Sequence, residues 1–382
     1  MLPRTSNVPI AMYDSEGLLA LALQTAVDLV IIGPEQPLCA GLADRFAEAG
    51  LPCLGPGAAA ARLEGSKAFA KRFMVRHGLP TASFAVFTSS REAHEYIDAN
   101  PQARVVKADG LAAGKGVVVA DDAKEAKEAV CDMIEHHRFG SAGQQVVVEQ
   151  RLYGREVSLF GLIHGTGMLY LGSAQDAKRL HDGNRGPNTG GMGAFSPSRS
   201  PRDDVLGYTL FQNVTSALHH EGLFYSGFLY IGLLIDDHDR PHILEFNCRL
   251  GDPEAQVLLL RIQTDLAAIL LDLAHGGTLQ GHSIPTEGHA LGVVLAAAGY
   301  PGKPHIGMPI TGLAQAQRHG VMVFHMGTCG QGEQIAVAGG RVLTICATGA
   351  SLQAARQQVY RALPEIHFDG MQWRSDIGME EQ

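Results

Sequence analysis

Cysteine is sparse in this 382-residue chain, and none of it is paired in sequence: Cys39, Cys53, Cys131, Cys248, Cys329 and Cys346 are scattered, with no C-x-x-C spacing. That pattern gives neither a zinc site nor a disulfide framework, and it suits a reducing compartment. No apolar run approaches the roughly 18 residues needed to cross a bilayer, so no membrane span is read. The first residues lack a basic segment followed by an apolar run. No secretory leader is read, and a cytoplasmic location is expected. Basic residues are not in excess: the formal net charge is −9, which argues against a dedicated nucleic-acid binder. Nor does a Ser/His/Asp or Cys/His set stand out, so nothing points to a protein nucleophile.

What is present is ordinary in bulk. Hydrophobic residues make up 46% and charged residues 18%, the balance of a globular protein, and 382 residues exceed one hydrophobic core, so two or three domains are expected. Glycine, at 46 residues, is clustered in the way that brings backbone close to a ligand.

The rest of the chain is organised around the stretch Ile-Leu-Glu-Phe-Asn-Cys-Arg-Leu-Gly-Asp-Pro-Glu (243–254). In an extended chain Leu244, Phe246 and Cys248 point one way and Glu245 and Asn247 the other. One face is then apolar and the other carries two oxygen ligands, a pair suited to a hard cation such as Mg²⁺ that is shared with substrate phosphates. Arg249 follows at the strand end, placed to hold developing negative charge. Taken alone, the stretch fits an edge strand with a solvated polar face better, and the remaining motifs change that balance.

Residues 1–62 read as α/β structure. Ser15 is placed to cap a helix running to Ala26. The apolar run 29–32 ends in Gly33-Pro34-Glu35, as a buried parallel strand stopped by a loop does. Ligands bind at such strand ends in open α/β sheets, so Gly33, Pro34 and Glu35 form a candidate binding loop, although a plain turn fits equally well. A helix over 41–49 and a short strand over 52–54 follow. Two parallel strands are few for a stable sheet, and a front piece is expected to be missing.

From Leu63 the pattern changes. Ser66 is placed to cap a basic helix over 67–77. The β-type runs 105–107 and 117–119 flank a glycine-rich turn that carries Lys107 and Lys115, and exposed backbone N–H groups beside lysines suit a polyphosphate. A Walker A loop is excluded, because three residues separate Gly110 from Gly114, Gly116 follows the lysine, and a strand comes next. A flexible hairpin that closes over phosphates is expected, with a plain hairpin as the other reading. A helix over 123–136 leads to a buried strand over 145–152 with Glu149 near its end, and a second strand carries Glu156. Locally, both acids fit surface caps. Residues 182–194 read as a long Gly- and Asn-rich loop in which Arg185, Asn188 and Thr189 are placed to meet an anion. A helix over 204–221 precedes two antiparallel strands, 228–235 and the organising stretch. From 287 a smaller α+β tail follows, with strands over 291–298, 321–325 and 341–347 and a helix capped by Ser351. His325 reads there as an ordinary sheet residue.

Together, Lys-Ala-Asp-Gly-Leu-Ala-Ala-Gly-Lys-Gly (107–116), Gln-Asp-Ala-Lys-Arg (175–179), Gly-Pro-Asn-Thr-Gly-Gly-Met-Gly-Ala (186–194) and Glu-Phe-Asn-Cys-Arg-Leu-Gly-Asp-Pro-Glu (245–254) resemble the phosphoribosylamine–glycine ligase family, the glycinamide ribonucleotide synthetases of the ATP-grasp superfamily. Leu63-Glu64-Gly65-Ser66-Lys67 and Gly33-Pro34-Glu35 match it too, and the resemblance runs from about Asp28 to Gly378. It implies an α/β and α+β multidomain protein: an incomplete parallel-sheet N-terminal domain (1–62), an ATP-grasp core (63–286) and a small strand-rich C-terminal domain (287–382). It further implies a monomer acting on small molecules, with no nucleic-acid or membrane partner. The implied reaction joins glycine to 5-phosphoribosylamine through glycyl phosphate, with ATP and Mg²⁺ or Mn²⁺, giving glycinamide ribonucleotide, ADP and phosphate in purine synthesis.

By the same resemblance, Lys67 and Lys107 hold ATP phosphates under the loop that contains Gly114, Lys115 and Gly116. Glu149 and the Leu152 backbone meet adenine, and Glu156 meets the ribose. Glu245 and Asn247 hold the metal. Arg249, with Lys107, stabilises the transferring charge. Asp176, Lys178, Asn188, Thr189, Gly190 and Gly191 line the site for glycine and its acyl phosphate, and Gly33, Pro34 and Glu35 contribute to substrate binding. The family opens with a strand, a Gly-x-Gly-Gly-Arg-Glu-His loop and a helix, expected to hold the substrate phosphate, and this sequence carries no such loop. The expectations that follow are a start placed too late, a different amine site, or an impaired member that binds nucleotide without turnover. An ATP-grasp ligase for another acid or amine is a third reading, against which the 186–193 loop argues. His325 and Gly339-Gly340-Arg341 are left without a role.

Overall fold

Local signals set the first elements of the computed structural model, which describes residues 5–112, 115–332 and 334–379. Helix Ser15–Thr25 is capped by Asp14, whose carboxylate accepts the Gly17 N–H at 2.9 Å. The expected cap Ser15 lies one residue too late for that role, and its hydroxyl accepts from Arg45 instead, at 2.7 Å. Strands Val30–Ile31 and Cys53–Leu54 pair in parallel. The expected full burial of the first strand is not found, since Ile31 is 49% exposed. A sheet of two strands cannot cover both of its faces. The helices Glu35–Cys39, Leu42–Glu48 and Ala58–Gly65 bury Leu38, Leu42, Phe46 and Leu63 in one core with Phe73, Leu229, Ile231, Phe246 and Cys248. The front unit is thereby packed onto the centre of the molecule.

A small antiparallel sheet follows, ordered Phe84–Phe87, Val146–Gln150, Ala103–Ala108, Val117–Val119. Helices Ser90–Ala99 and Ala123–Ile134 carry apolar residues at helical spacing (Ala93 and Ile97; Ala126, Val130 and Met133), and these bury against Val106, Val146 and Val148. The other face of this sheet turns toward the cleft described below.

The second sheet has eight strands, antiparallel throughout: Pro241–Asn247, Ser226–Ile235, Arg155–His164, Gly167–Asp176, Gly193–Ser196, His289–Ala296, Arg341–Gly349 and Met322–His325. Helix Pro201–His220 packs Leu210, Phe211, Val214 and Leu218 against it. Strand Gly193–Ser196 bonds to Gly167–Asp176 on one side and to His289–Ala296 on the other. The tail's strands therefore continue the central sheet through this one short strand. The tail closes with helix Leu352–Ala362, capped by Ser351 as expected. Among the described residues no helix is long and apolar enough to cross a membrane.

Two local expectations are corrected. The segment 182–194 is not one long loop: Arg179–His181 and Arg185–Asn188 form a short antiparallel hairpin, and Gly193–Ser196 joins the large sheet. The alternation through 243–248 also breaks. The register against Ser226–Ile235 slips between Gly232/Leu233, which pair with Glu245 and Ile243, so Leu244 has no partner across the ladder. Ile243, Phe246 and Cys248 then face the core, while Leu244, Glu245 and Asn247 face the cleft. One extra residue in one strand does this, and the partner strand, not the local pattern, sets where it falls.

Candidate active site

The two sheets enclose a cleft of about 530 Å³, within the range of small-molecule sites. The small sheet supplies Val105, Lys107, Val117 and Glu149, the large sheet supplies Glu156, Leu233, Glu245 and Asn247, and Lys178 follows just after the strand Gly167–Asp176. Helix Lys67–Arg76 enters with Lys67 and Lys71 one turn apart, and so on one face. Ser66 caps that helix, accepting the Phe69 N–H at 3.1 Å. The Asp109 carboxylate accepts from both the Ser66 hydroxyl and the Ala68 N–H at 2.9 Å, which ties the hairpin base to the helix start.

Two of the lining residues, Lys107 and Glu149, belong to a buried ion cluster that continues behind the wall of the cleft to Lys71. Glu149 meets Lys71 at 2.9 Å and Lys107 at 2.9 Å, and Lys71 also donates to the Thr81 hydroxyl at 2.7 Å. Burial works against the Glu149 charge, but Lys107 and Lys71 outweigh it and hold the carboxyl below its usual range. Burial pushes the Lys71 ammonium down to about 8 against the pull of Glu149. Lys107 donates at 3.2 Å to the carbonyl of Leu244, the residue that the strand irregularity leaves unpaired. The bulge thus gives this lysine an acceptor.

Glu245 stands at 3.6 Å from Lys67. Desolvation would raise its carboxyl, but Lys67, Lys107 and Lys178 together hold it down at about 2. In the amide orientation that satisfies both of its ends, Asn247 donates to Glu64 at 2.9 Å and to the Phe246 carbonyl at 3.2 Å, so its oxygen is on the opposite side from Glu64. An ionised carboxylate and an amide oxygen two residues apart fit a hard divalent ion, which takes oxygen ligands and keeps the rest of its shell for water and phosphate. Among the described residues no cluster of three or more His, Cys, Asp or Glu could hold an ion by itself. A site of this kind is completed by its substrate.

Arg249 is braced from the front unit. Its Nε donates to Glu35 at 2.9 Å, and a terminal nitrogen lies 3.4 Å from Glu64. Burial pushes the Glu64 carboxyl up to about 7, although Arg249 and the Cys248 N–H (2.7 Å) pull the other way. At the opposite wall Lys178 is ion-paired with Glu156 and lies 3.9 Å from Asp176. Desolvation works against the Lys178 charge, but Asp176, Tyr230 and Glu156 hold its ammonium well above its usual range.

Of the residues singled out in the sequence, Glu35, Lys67, Lys107, Gly116, Glu149, Leu152, Glu156, Lys178, Asn188, Thr189, Glu245, Asn247 and Arg249 line this one cleft. Gly33 and Pro34 are exposed outside it, and Lys115 is exposed on the hairpin. Gly114 lies outside the described residues. Asp176 stands behind Lys178. Gly190 and Gly191 do not line the cleft: a Cβ on Gly190 would come within 2.9 Å of the Arg341 guanidinium, and one on Gly191 within 2.5 Å of Pro253. Sequence reasoning missed Lys71, Glu64, Tyr300 and Arg341. For Lys71 the signal was its place one turn after Lys67 on a basic helix. For Glu64 it was the Leu63–Lys67 motif, and for Arg341 the glycine pair before it.

Family models cover nearly the whole chain: the phosphoribosylglycinamide synthetase N domain matches residues 2–64, the ATP-grasp (A) domain 65–255 and the C domain 290–380. A phosphoribosylamine–glycine ligase of Allochromatium vinosum is 46% identical over 379 residues, spanning 98% of this chain and 89% of the relative. That of Escherichia coli O157:H7 is 43% identical over 380 residues, spanning 98% and 89%. The crystal structure of phosphoribosylamine–glycine ligase from Thermotoga maritima, 38% identical, superposes with a TM-score of 0.79 over 85% of this chain and 81% of that one. The biotin carboxylase domain of Hydrogenobacter thermophilus 2-oxoglutarate carboxylase, 17% identical, shares the fold with a TM-score of 0.75 over 96% and 81%.

Proposed function

Because the chain belongs to the phosphoribosylglycinamide synthetase family, we propose that it is a carbon–nitrogen ligase. It joins glycine to 5-phosphoribosylamine with ATP and gives glycinamide ribonucleotide, ADP and phosphate. The observation that carries this reading is the convergence of Lys67, Lys107, Glu245, Asn247 and Arg249, which come from distant parts of the sequence, on one cleft. The same reading divides the chain at 62/63 and 286/287.

In this mechanism the glycine carboxylate attacks the γ-phosphorus of ATP. ADP leaves, and glycyl phosphate forms. The amine of phosphoribosylamine then attacks the acyl carbon, phosphate leaves, and the amide results. No protein nucleophile takes part, so the chain's contribution is positioning and electrostatics. Lys67 and Lys107 hold the phosphates, and the hairpin bearing Lys115 and Gly116 covers them. Glu149, expected from the resemblance to meet adenine, is here given another role: its carboxylate is paired with Lys71 and Lys107, and it fixes Lys107 from behind. The Leu152 backbone meets adenine, and Glu156 takes the ribose hydroxyls. Arg249, braced by Glu35 and Glu64, faces the charge that develops on the transferring phosphoryl group. Lys178, Asn188 and Thr189 surround the glycyl carboxylate. Glu245 and Asn247 would hold a divalent ion, Mg²⁺ or Mn²⁺, which when bound neutralises phosphate charge.

The alternative of a member that binds nucleotide without turnover is not favoured: relatives 43–46% identical over nearly the whole chain bear the ligase name. The test is ADP release by this chain with ATP, Mg²⁺ and glycine, with and without freshly made phosphoribosylamine. Amine-dependent release alongside amide formation supports the ligase. Calorimetric ATP binding with no release overturns it in favour of the alternative.

A further inference from the structure

Gly339-Gly340-Arg341 has no role in the reading above, yet it touches both loops beside the glycine site. Arg341 opens the strand Arg341–Gly349 of the C-terminal unit. One of its terminal nitrogens donates to the Gly190 carbonyl at 2.7 Å and to the Asp252 carbonyl at 2.6 Å, and the other meets the Asp252 carboxylate at 2.9 Å. From the same unit, the Tyr300 hydroxyl accepts the Gly190 N–H at 2.8 Å. Three glycines make room for this contact. A Cβ on Gly190 would press on the guanidinium, one on Gly340 would come within 2.3 Å of the Tyr300 ring, and one on Gly191 would strike Pro253, where φ is also +113°. The two pinned loops lead straight into the cleft. Thr189 lines it and bonds through both N–H and hydroxyl to the Lys178 carbonyl at 2.8 Å, and Arg249 is three residues before Asp252.

We propose that Arg341 and Tyr300 are positioning residues that pin the 188–191 loop to the 250–253 loop, and that this pin keeps water from the acyl phosphate. The second half rests on the ligase reading. When the pin is loose, water takes the place of the amine: it attacks glycyl phosphate, returning glycine and phosphate, and ADP accumulates without amide. The Arg341 bonds are charge-assisted and partly shielded, the side chain being 20% exposed, so their loss is felt locally.

The test compares wild type with Arg341→Met, Tyr300→Phe and Arg341→Ala. By backbone hydrogen exchange, the amides of 189–191 exchange about tenfold faster in Arg341→Met, the scale of one lost charge-assisted bond. The KM for glycine rises by a similar factor, the KM for ATP holds, and ADP formed per amide climbs above one. Tyr300→Phe shows the same pattern more weakly. Guanidinium ion added to Arg341→Ala brings the ratio back toward one, which a merely structural role would not produce. Unchanged exchange at 189–191 overturns the proposal whatever the activity. So does faster exchange with a ratio of one and an unmoved glycine KM. A wild type that makes no amide condemns the ligase reading, and the exchange experiment then decides the pin alone.

Discussion

The cleft holds two kinds of lysine–glutamate arrangement. Lys71, Glu149 and Lys107 are almost fully buried, at 2%, 2% and 7% side-chain exposure, and each partner is within 2.9 Å. Lys178 with Glu156, at 42% and 48%, and Lys67 with Glu245, at 21% and 37%, are partly open to solvent. A buried pair broken on one side strands a charge at a cost of about 3–5 kcal/mol, whereas an exposed pair is worth about 0–1 kcal/mol. The buried cluster is therefore a fixed frame that presents Lys107. The open pairs can exchange protein partners for substrate with little loss. The same residue types serve scaffold and ligand according to their depth.

Glu149→Ala should have the largest effect on stability. It leaves two ammonium groups facing each other in the interior, and urea denaturation should show a loss of about 3–5 kcal/mol, partly recovered by adding Lys71→Met. A loss under about 1 kcal/mol would mean that the cluster is no frame. Glu245→Gln should invert the pattern: turnover falls by about 100-fold or more, the scale of one lost electrostatic contact at a reacting group, while the unfolding free energy moves by less than about 1 kcal/mol. Retained turnover would remove Glu245 from the metal site. Glu156→Gln should be milder still, raising the KM for ATP about three- to tenfold with stability within about 0.5 kcal/mol.

A control outside the cleft sharpens the contrast. Asp236 in the strand turn accepts from the His238 and Arg240 N–H groups at 2.9 and 3.0 Å, and with the Arg240 and His242 side chains these hold its carboxyl below the usual range despite some desolvation. A depressed carboxyl contributes stability that is present above its unfolded value, about 3.9, and is lost as pH falls through the lower folded value. Asp236→Asn should therefore melt below wild type at pH 7, with the gap closing in acid. A pH-independent gap would mean that the turn depends on shape and not on charge.

Legibility follows the range of the interaction. The cap at Ser66, the hairpin strands around Lys107 and the pair Glu245/Asn247 rest on neighbours in sequence, and the structure bears out the two flanking strands and the cap. The motifs named most of the charged residues that line the cleft because each motif is a contiguous string. The place of Leu244 escaped, because the strand Ser226–Ile235 decides where the bulge falls. Lys71 escaped because its partner Glu149 is on another element, and nothing local distinguishes a buried lysine from a solvated one. Gly190 was legible as a glycine but not for its reason, since the guanidinium that needs the space comes from the far end of the chain. Ser15 failed by one position, which capping patterns do not resolve.

Strand Gly193–Ser196 is four buried residues long and has neighbours on both sides. Were the chain cut before His289, that strand would present an unsatisfied row of N–H and C=O groups next to apolar Phe195. Such an edge is a template for pairing with another copy, and so for aggregation. The C-terminal unit thus acts as a permanent chaperone for the middle of its own chain. During synthesis that edge would stay open until the strand His289–Ala296 arrives to pair with it.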